Sequence, residues 1–191
     1  ERYLRVGILV PTLENGGMER VASQISILLT ENNIKVFLFV QKYNRLTAYQ
    51  HGGKIVICPY LISNDSMQDE MLSYVIGSKM IKKEKIKYKI DVSISISPEM
   101  NLLNLLSKTN DRIVLSIHNC MSLREDIKSI AYKKWIMLFN NLAYRVVTVS
   151  EWCKRDLQIN YHIRSKKIEV IYNPYLIENG EEIRNKANII L

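Results

Sequence analysis

The alternation of short aliphatic runs with longer stretches of helical periodicity limits this chain more than any other feature. Runs such as RVGILV (5–10), KVFLFV (35–40) and RIVLSI (112–117) are apolar at nearly every position. A strand of that kind cannot turn one face to water, so it belongs in a sheet covered on both sides. Strands are predicted over Tyr3–Val10, Lys35–Gln41, Lys54–Cys58, Asp91–Ile96, Arg112–Ile117, Arg145–Val149 and Lys167–Ile171. Between them the apolar spacing changes to three and four, which predicts helices over Gly17–Glu31, about Gln68–Lys87, Glu99–Leu106, a segment ending at Asn141, and Glu151–Asn160. The first should bury Met18, Val21, Ala22, Ile25, Leu28 and Leu29; the second, Leu72, Val75, Ile76 and Met80. The expectation is an α/β fold, a parallel sheet with helices on both faces. Ligands of such sheets collect beyond the carboxyl ends of the strands. That directs attention to the Gly16-Gly17 loop, Ser97–Asn101, His118-Asn119 and Ser150-Glu151.

With 191 residues, 47% of them hydrophobic and 24% charged, disorder is excluded and one full core is expected. Cys58, Cys120 and Cys153 are far apart in the sequence and offer neither a disulfide framework nor zinc-ligand spacing, which suits a reducing cytosol. The first apolar run, Ile8–Val10, ends at Pro11 and is too short for a signal peptide. No run approaches the roughly 20 apolar residues of a spanning helix, so a soluble, cytoplasmic chain is expected. The formal charge of +8 favours contact with something anionic: nucleic acid, a membrane surface or a phosphorylated small molecule. Much of it lies in KMIKKEKIKYK (79–89), whose bland reading is the solvated face of a helix.

Two adjacent glycines at the start of the first helix leave two readings open. One is a tight turn needing positive φ. The other is a phosphate that approaches the unpaired N–H groups of a helix start without meeting a Cβ. The loop fits neither the dinucleotide fingerprint, since no third glycine follows, nor the P-loop, since no Lys-Ser/Thr follows. His118, directly after a strand, is either a titratable ligand contact or a ring satisfied by loop backbone. Glu19 near the helix start is favourable on dipole grounds alone. Glu99 either caps the helix after it or meets an acceptor. There is no Asp-x-Asp, which weakens the case for a divalent metal, and no metal or cofactor is expected. His51 and His162 have no partners at metal spacing.

In the helix ending at Asn141, Ile127, Ile130, Ala131, Trp135, Leu138 and Leu142 form a core stripe, with Ile136, Met137 and Phe139 outside it beside Lys133 and Lys134. Such residues suit either burial between helices or a surface touching lipid or a partner. The tail, ENGEEIRNKANIIL, reads as a linker followed by the first strand of a further domain, so half of a larger protein is expected.

GGMERV (16–21), SIHNC (116–120), VTVSEWCKRDL (147–157) and KIEVIYNP (167–174) together resemble the N-terminal domain of retaining GT-B glycosyltransferases, in particular glycosyltransferase family 4. The resemblance covers about residues 3–174. It implies a Rossmann-like acceptor-side domain over residues 1–174, with 175–191 the linker and start of a donor-binding domain. On this resemblance Gly16, Gly17 and Asn15 face the phosphates and sugar of a nucleoside-diphosphate sugar. His118 contacts the transferred sugar or assists at the reaction centre, and not as a simple general base. Glu99, Asn119, Ser150 and Glu151 become acceptor-side candidates, for a glycan or a lipid-linked saccharide. Lys82, Lys83, Lys85 and Trp135 become candidates for docking on an anionic membrane, which would make the protein peripheral on the inner face of the plasma membrane. YNPY departs from the commoner Asn-Gly at the hinge. Two rivals are a non-catalytic binding module and a nucleotide-sugar epimerase on the same scaffold. A nucleic-acid partner is not expected, because neither aromatic–basic interleaving nor a helix-turn-helix pattern emerges.

Overall fold

The computed structural model describes residues 3–59, 67–123, 134, 136–138 and 141–173. The expectations for residues 175–191 and Trp135 lie outside the described residues, as do those for Ile127, Ile130, Ala131 and Phe139. Seven strands, β1 (Arg5–Leu9), β2 (Lys35–Val40), β3 (Lys54–Ile57), β4 (Val92–Ser95), β5 (Arg112–Ile117), β6 (Arg145–Thr148) and β7 (Ile168–Val170), form one sheet in the order β3-β2-β1-β4-β5-β6-β7. Every pairing is parallel. The helices are α1 (Gly17–Glu31), α2 (Met67–Tyr88), α3 (Pro98–Leu106) and α4 (Glu151–Tyr161). Residues 136–138 and 141–142 are also helical. The chain belongs to the Rossmann-like class, and the predicted elements stand within a few residues of their expected ends.

Side-chain alternation along the strands divides the core between the two faces. Val6 and Ile8 of β1, Val36 and Leu38 of β2 and Ile94 of β4 pack with Ala22 and Leu29 of α1. Leu9, Phe39 and Val56 point the other way, onto Ile81 of α2 and onto Met100 and Leu103 of α3. A third cluster joins Ile113, Leu115 and Ile117 of β5 to Val146, Ile168, Leu157 and the buried Ile136. Each such aliphatic side chain, removed from water, contributes about 1.5–3 kcal/mol.

Two expectations of burial fail. Leu72, Val75 and Ile76 of α2 are 57%, 45% and 46% exposed, whereas Ser73, Gly77, Ser78, Ile81 and Lys85 face inward. Small residues bring this helix close to its neighbours, and the Ser78 hydroxyl is satisfied within the helix by the Val75 carbonyl at 3.0 Å. Ile136 is buried, while Leu138 and Leu142, assigned to the core stripe, are at the surface. In both helices the ranking of side chains by hydropathy misplaces the contact face, because packing is decided by shape and by neighbours absent from the local window. Among the described residues, no helix is long and apolar enough to cross a membrane.

The two edges of the sheet differ in charge. β1, β2, β3, β5 and β6 each open on a cation, Arg5, Lys35, Lys54, Arg112 and Arg145. Tyrosines lie between them: Lys35 stands over Tyr3, Lys54 and Lys87 over Tyr88, and Arg112 and Arg145 over Tyr144, at 4.8–5.0 Å. Aromatic–basic interleaving therefore exists on this amino edge, where the sequence reading found none. Most of its partners are distant in the chain.

Candidate functional site on the carboxyl edge

From β1 the chain runs outward through β2 to β3, then returns to place β4 on the other side of β1. The crevice beyond the ends of β1 and β4 is the switch point at which such sheets bind ligands. α1, α3 and α4 each begin within a short turn of a parallel strand and so bring their positive ends to this edge. They are not equivalent. Ser97 caps α3, its hydroxyl accepting from the Met100 N–H at 3.3 Å, and Ser150 caps α4 by accepting from the Cys153 N–H at 3.2 Å. α1 opens on Gly16, which has no side chain to cap with.

The backbone dihedrals exclude the first of the two readings of the glycine pair, a turn with positive φ. Gly16 has φ −142° and ψ 157°, extended backbone that any residue adopts. The left-handed residue of this loop is Asn15, with φ 51°. A turn therefore does not explain the glycines. A Cβ on Gly16 would overlap Oε2 of Glu19, so the missing side chain leaves room for the helix's own carboxylate at its positive end. A Cβ on Gly17 would meet nothing within 4 Å, and Gly17 is exposed. Open space beside a bare backbone at a helix start is where an anion can approach.

His118 follows β5, two strands from β1 on the same edge. At the spacing of parallel strands the two strand ends stand roughly 10 Å apart. The ring is half-buried, and burial pulls its pKa below the ordinary 6.5, which makes it neutral at neutral pH. Its Nε2 lies 3.0 Å from the Ser116 hydroxyl, a partner visible in the sequence only as the small residue two positions earlier. The Ser116 carbonyl accepts from the Asn101 amide of α3 at 3.2 Å. Asn101 also accepts from Ser95 at 2.6 Å, Ser95 in turn accepts from Asn104 at 3.1 Å, and Asn104 accepts from Lys85 at 2.6 Å. A buried polar seam thus runs beneath α3 from the amino edge to His118.

The other candidates stand on several elements. Glu99 is half-buried in the first turn of α3, and since Ser97 supplies the cap, the bland role assigned to Glu99 is already taken. Asn119 and Glu151 are exposed, and Ser150 is engaged as the α4 cap. Lys82 and Lys83 are exposed on α2, but Lys85 is 1% exposed and cannot meet a membrane. Its ammonium pairs with Asp111 at 2.9 Å inside the seam. Burial pulls Lys85 below its ordinary value against the attraction of Asp111. For Asp111, burial is outweighed by the Lys85 charge and by hydrogen bonds from Ser93, Thr109 and Lys85, which hold the carboxyl below 3.8.

Folding brings together two of the cysteines that the sequence separates: Cys120 Sγ and Cys153 Sγ are 3.2 Å apart beside this site. The Cys120 thiol is pushed up to about 12 by burial and by that neighbour, and burial raises Cys58 to about 11. Neither is a nucleophile at neutral pH. Among the described residues no group of three or more His, Cys, Asp or Glu side chains converges as a metal site.

Comparison with solved structures finds the same fold in several enzymes. A glycosyltransferase from Rickettsia africae aligns at a TM-score of 0.62 with 20% identity, over 90% of this chain and 43% of that one. HepE of Anabaena, solved in complex with UDP-glucose, aligns at 0.67 with 15% identity, over 91% and 44%. A UDP-N-acetylglucosamine 2-epimerase from Rickettsia bellii aligns at 0.61 with 10% identity, over 90% and 45%. The chain thus spans less than half the length of each of these proteins. No curated protein sequence matches it. The family described as Glycosyltransferase Family 4 matches over residues 15–178, from the glycine loop to beyond the last strand, and the chain belongs to that family.

Proposed function

We propose that this chain is the acceptor-side part of a retaining glycosyltransferase that moves a sugar from a nucleoside-diphosphate sugar to a glycan or lipid-linked acceptor. The observation that carries the reading is the open space beside Gly17, where an added Cβ would meet nothing within 4 Å, on the same sheet edge as His118. The family match supports transfer of a sugar. UDP-glucose bound to HepE, which has this fold, supports a nucleoside-diphosphate sugar as donor. In this reading the N-terminal dipole of α1 and the N–H groups beyond Gly16 face the diphosphate, which takes the place of the Glu19 carboxylate. A neutral His118 donates or accepts a hydrogen bond at the sugar and carries no charge into the reaction. Asn15 lies on the donor side, Glu99, Asn119, Ser150 and Glu151 on the acceptor side, and no metal or cofactor takes part. The domain runs through residue 174 and is followed by a linker to a donor-binding domain. Lys82 and Lys83 contribute docking to an anionic membrane surface on the cytoplasmic side.

The test is transfer by the full-length protein from a panel of UDP-, GDP- and ADP-sugars, with the anomer of the product read by NMR. Retained configuration, and a loss of turnover of about 10²-fold or more in His118→Ala, the range of a positioned catalytic contact, is the expected result. Inverted product or undiminished turnover defeats it. The epimerase neighbour supports a second reading, which the same assay separates by consumption of donor without any acceptor.

A further inference from the structure

The excess of positive charge gathers on the edge of the sheet away from the cleft. Between the starts of β5 and β6 lies a concavity of about 560 Å³ lined by Lys108, Arg112, Tyr144, Arg145, Lys166 and Lys167. Asp111 also borders it, but its side chain is fully buried against Lys85 and offers no neutralisation. Glu169 stands beside the concavity, its Oε1 3.8 Å from Arg145 Nε, a loose pair between solvated groups.

A helix C-terminus explains part of this collection. Lys108 donates to the Leu142 carbonyl at 3.3 Å, Lys167 to Ala143 at 2.6 Å and Arg145 to Tyr144 at 3.2 Å, which places three cations on three successive carbonyls. It does not explain Arg112 and Lys166, whose side chains donate no hydrogen bond among the described residues. Nor does it use the remaining donors of the first three, since each cation gives a single bond there. Arg112 and Arg145 are held by the Tyr144 ring at 4.9 and 4.8 Å, which orients two planar forks before any ligand arrives. The cations also oppose one another: Lys167 is lowered by burial first, then by Arg145, Lys108, Lys166 and Arg164.

We propose that this concavity is a binding site for a phosphate group carrying at least two negative charges. Guanidinium forks take phosphate oxygens in pairs, and the lysines add point charges around them. The ligand is either a soluble phosphorylated molecule or the headgroup of a phosphomonoester lipid. Both present the same chemistry.

Two arms test the site and separate those sources. Inorganic pyrophosphate is titrated calorimetrically into the 191-residue chain at low salt, and the chain is sedimented with phosphatidic acid vesicles against phosphatidylcholine vesicles. Saturable one-to-one binding of pyrophosphate, weakened at least tenfold in Arg112→Gln/Arg145→Gln and unchanged in Lys42→Gln, an exposed cation beyond the end of β2, establishes the site with a soluble ligand. Sedimentation with phosphatidic acid alone, lost in the same double variant, establishes it with a lipid headgroup. Lys166→Gln, at an exposed position, should weaken binding at least threefold and stands in if the double variant unfolds early. No binding in either arm overturns the proposal. So does binding lost equally in Lys82→Gln/Lys83→Gln, which would mean unspecific charge, and so does tighter binding of a single-stranded oligonucleotide with the same variant sensitivity. Because Gly17 and His118 lie on the opposite edge, failure here leaves the reading of the cleft standing, and the converse holds.

Discussion

A glycine that the fold requires and a glycine that a ligand requires respond to alanine in opposite ways. Gly17 is helical, has no positive φ and faces open space. Gly17→Ala should therefore stabilise the chain by about 0.5–1 kcal/mol, because alanine loses less backbone freedom on folding. If a diphosphate approaches that backbone, the same change should lower donor turnover of the full-length protein at least tenfold, about 1.4 kcal/mol of transition-state binding. Gly16→Ala displaces the Glu19 carboxylate and should cost about 0.5–1 kcal/mol, the scale of a helix cap. Urea unfolding and steady-state kinetics read both quantities. Unchanged turnover in Gly17→Ala would remove the ligand from this position. The sequence showed that something excluded side chains here but not what, since the two causes leave the same letters. The dihedral angles, with the left-handed residue at Asn15, exclude the turn. The position of His118 beyond a strand end was legible; Ser116, which holds the ring, was not singled out, because a serine inside an apolar strand has no periodicity to betray it.

Among the elements, α2 departs furthest from what its letters suggest, and the reason is Lys85. A lysine in a run of lysines reads as solvated, yet this one crosses beneath α3 to meet Asp111 at the start of β5. Ser93 and Ser95 in β4 and Asn101 and Asn104 in α3 were visible as polar positions within apolar segments. Their pairing was not, since the bonds join residues of α2, β4 and α3 that stand 6 to 11 positions apart, a spacing set by how the helices pack on the strand and not by strand or helix periodicity. Breaking the pair from one side leaves a buried charge uncompensated, so Asp111→Asn should destabilise the chain by about 3–5 kcal/mol. The wild-type ion pair also has an acid signature. The folded carboxyl ionises below 3.8, so its contribution is complete above that pH and is lost as pH falls through the lower folded value. Unfolding free energy followed from pH 6 to pH 2 should drop less steeply below pH 4 in Asp111→Asn than in wild type. Equal slopes would mean that the Asp111 carboxyl titrates alike in the folded and unfolded chain, with no net stabilisation from the pair.

At the scale of the whole molecule, the seven-stranded sheet separates two chemistries. Its carboxyl edge carries the N-termini of α1, α3 and α4, bare glycine backbone and the His118 imidazole; its amino edge carries Arg5, Lys35, Lys54, Arg112 and Arg145 with tyrosines between them. The sheet itself was legible because buried parallel strands write themselves as unbroken aliphatic runs. The charged edge was not, because its members stand one per strand and meet only when the strands align in register. A net charge of +8 with its cations so gathered repels itself in the folded state. Screening should relieve this, since the Debye length falls from roughly 10 Å at 0.1 M salt to about 3 Å at 1 M. Raising sodium chloride from 0.05 to 0.5 M should lift the melting temperature by roughly 2–4 °C, equivalent to about 1 kcal/mol in a chain of this length. Salt also strengthens burial in general, so the rise alone does not identify its source. The discriminating comparison is Arg145→Gln/Lys166→Gln, which removes two of the clustered cations and leaves the core untouched. Thermal scans of that variant should start from a higher melting temperature at low salt and show a smaller increment on addition of salt. An increment equal to that of wild type would place the repulsion elsewhere in the molecule.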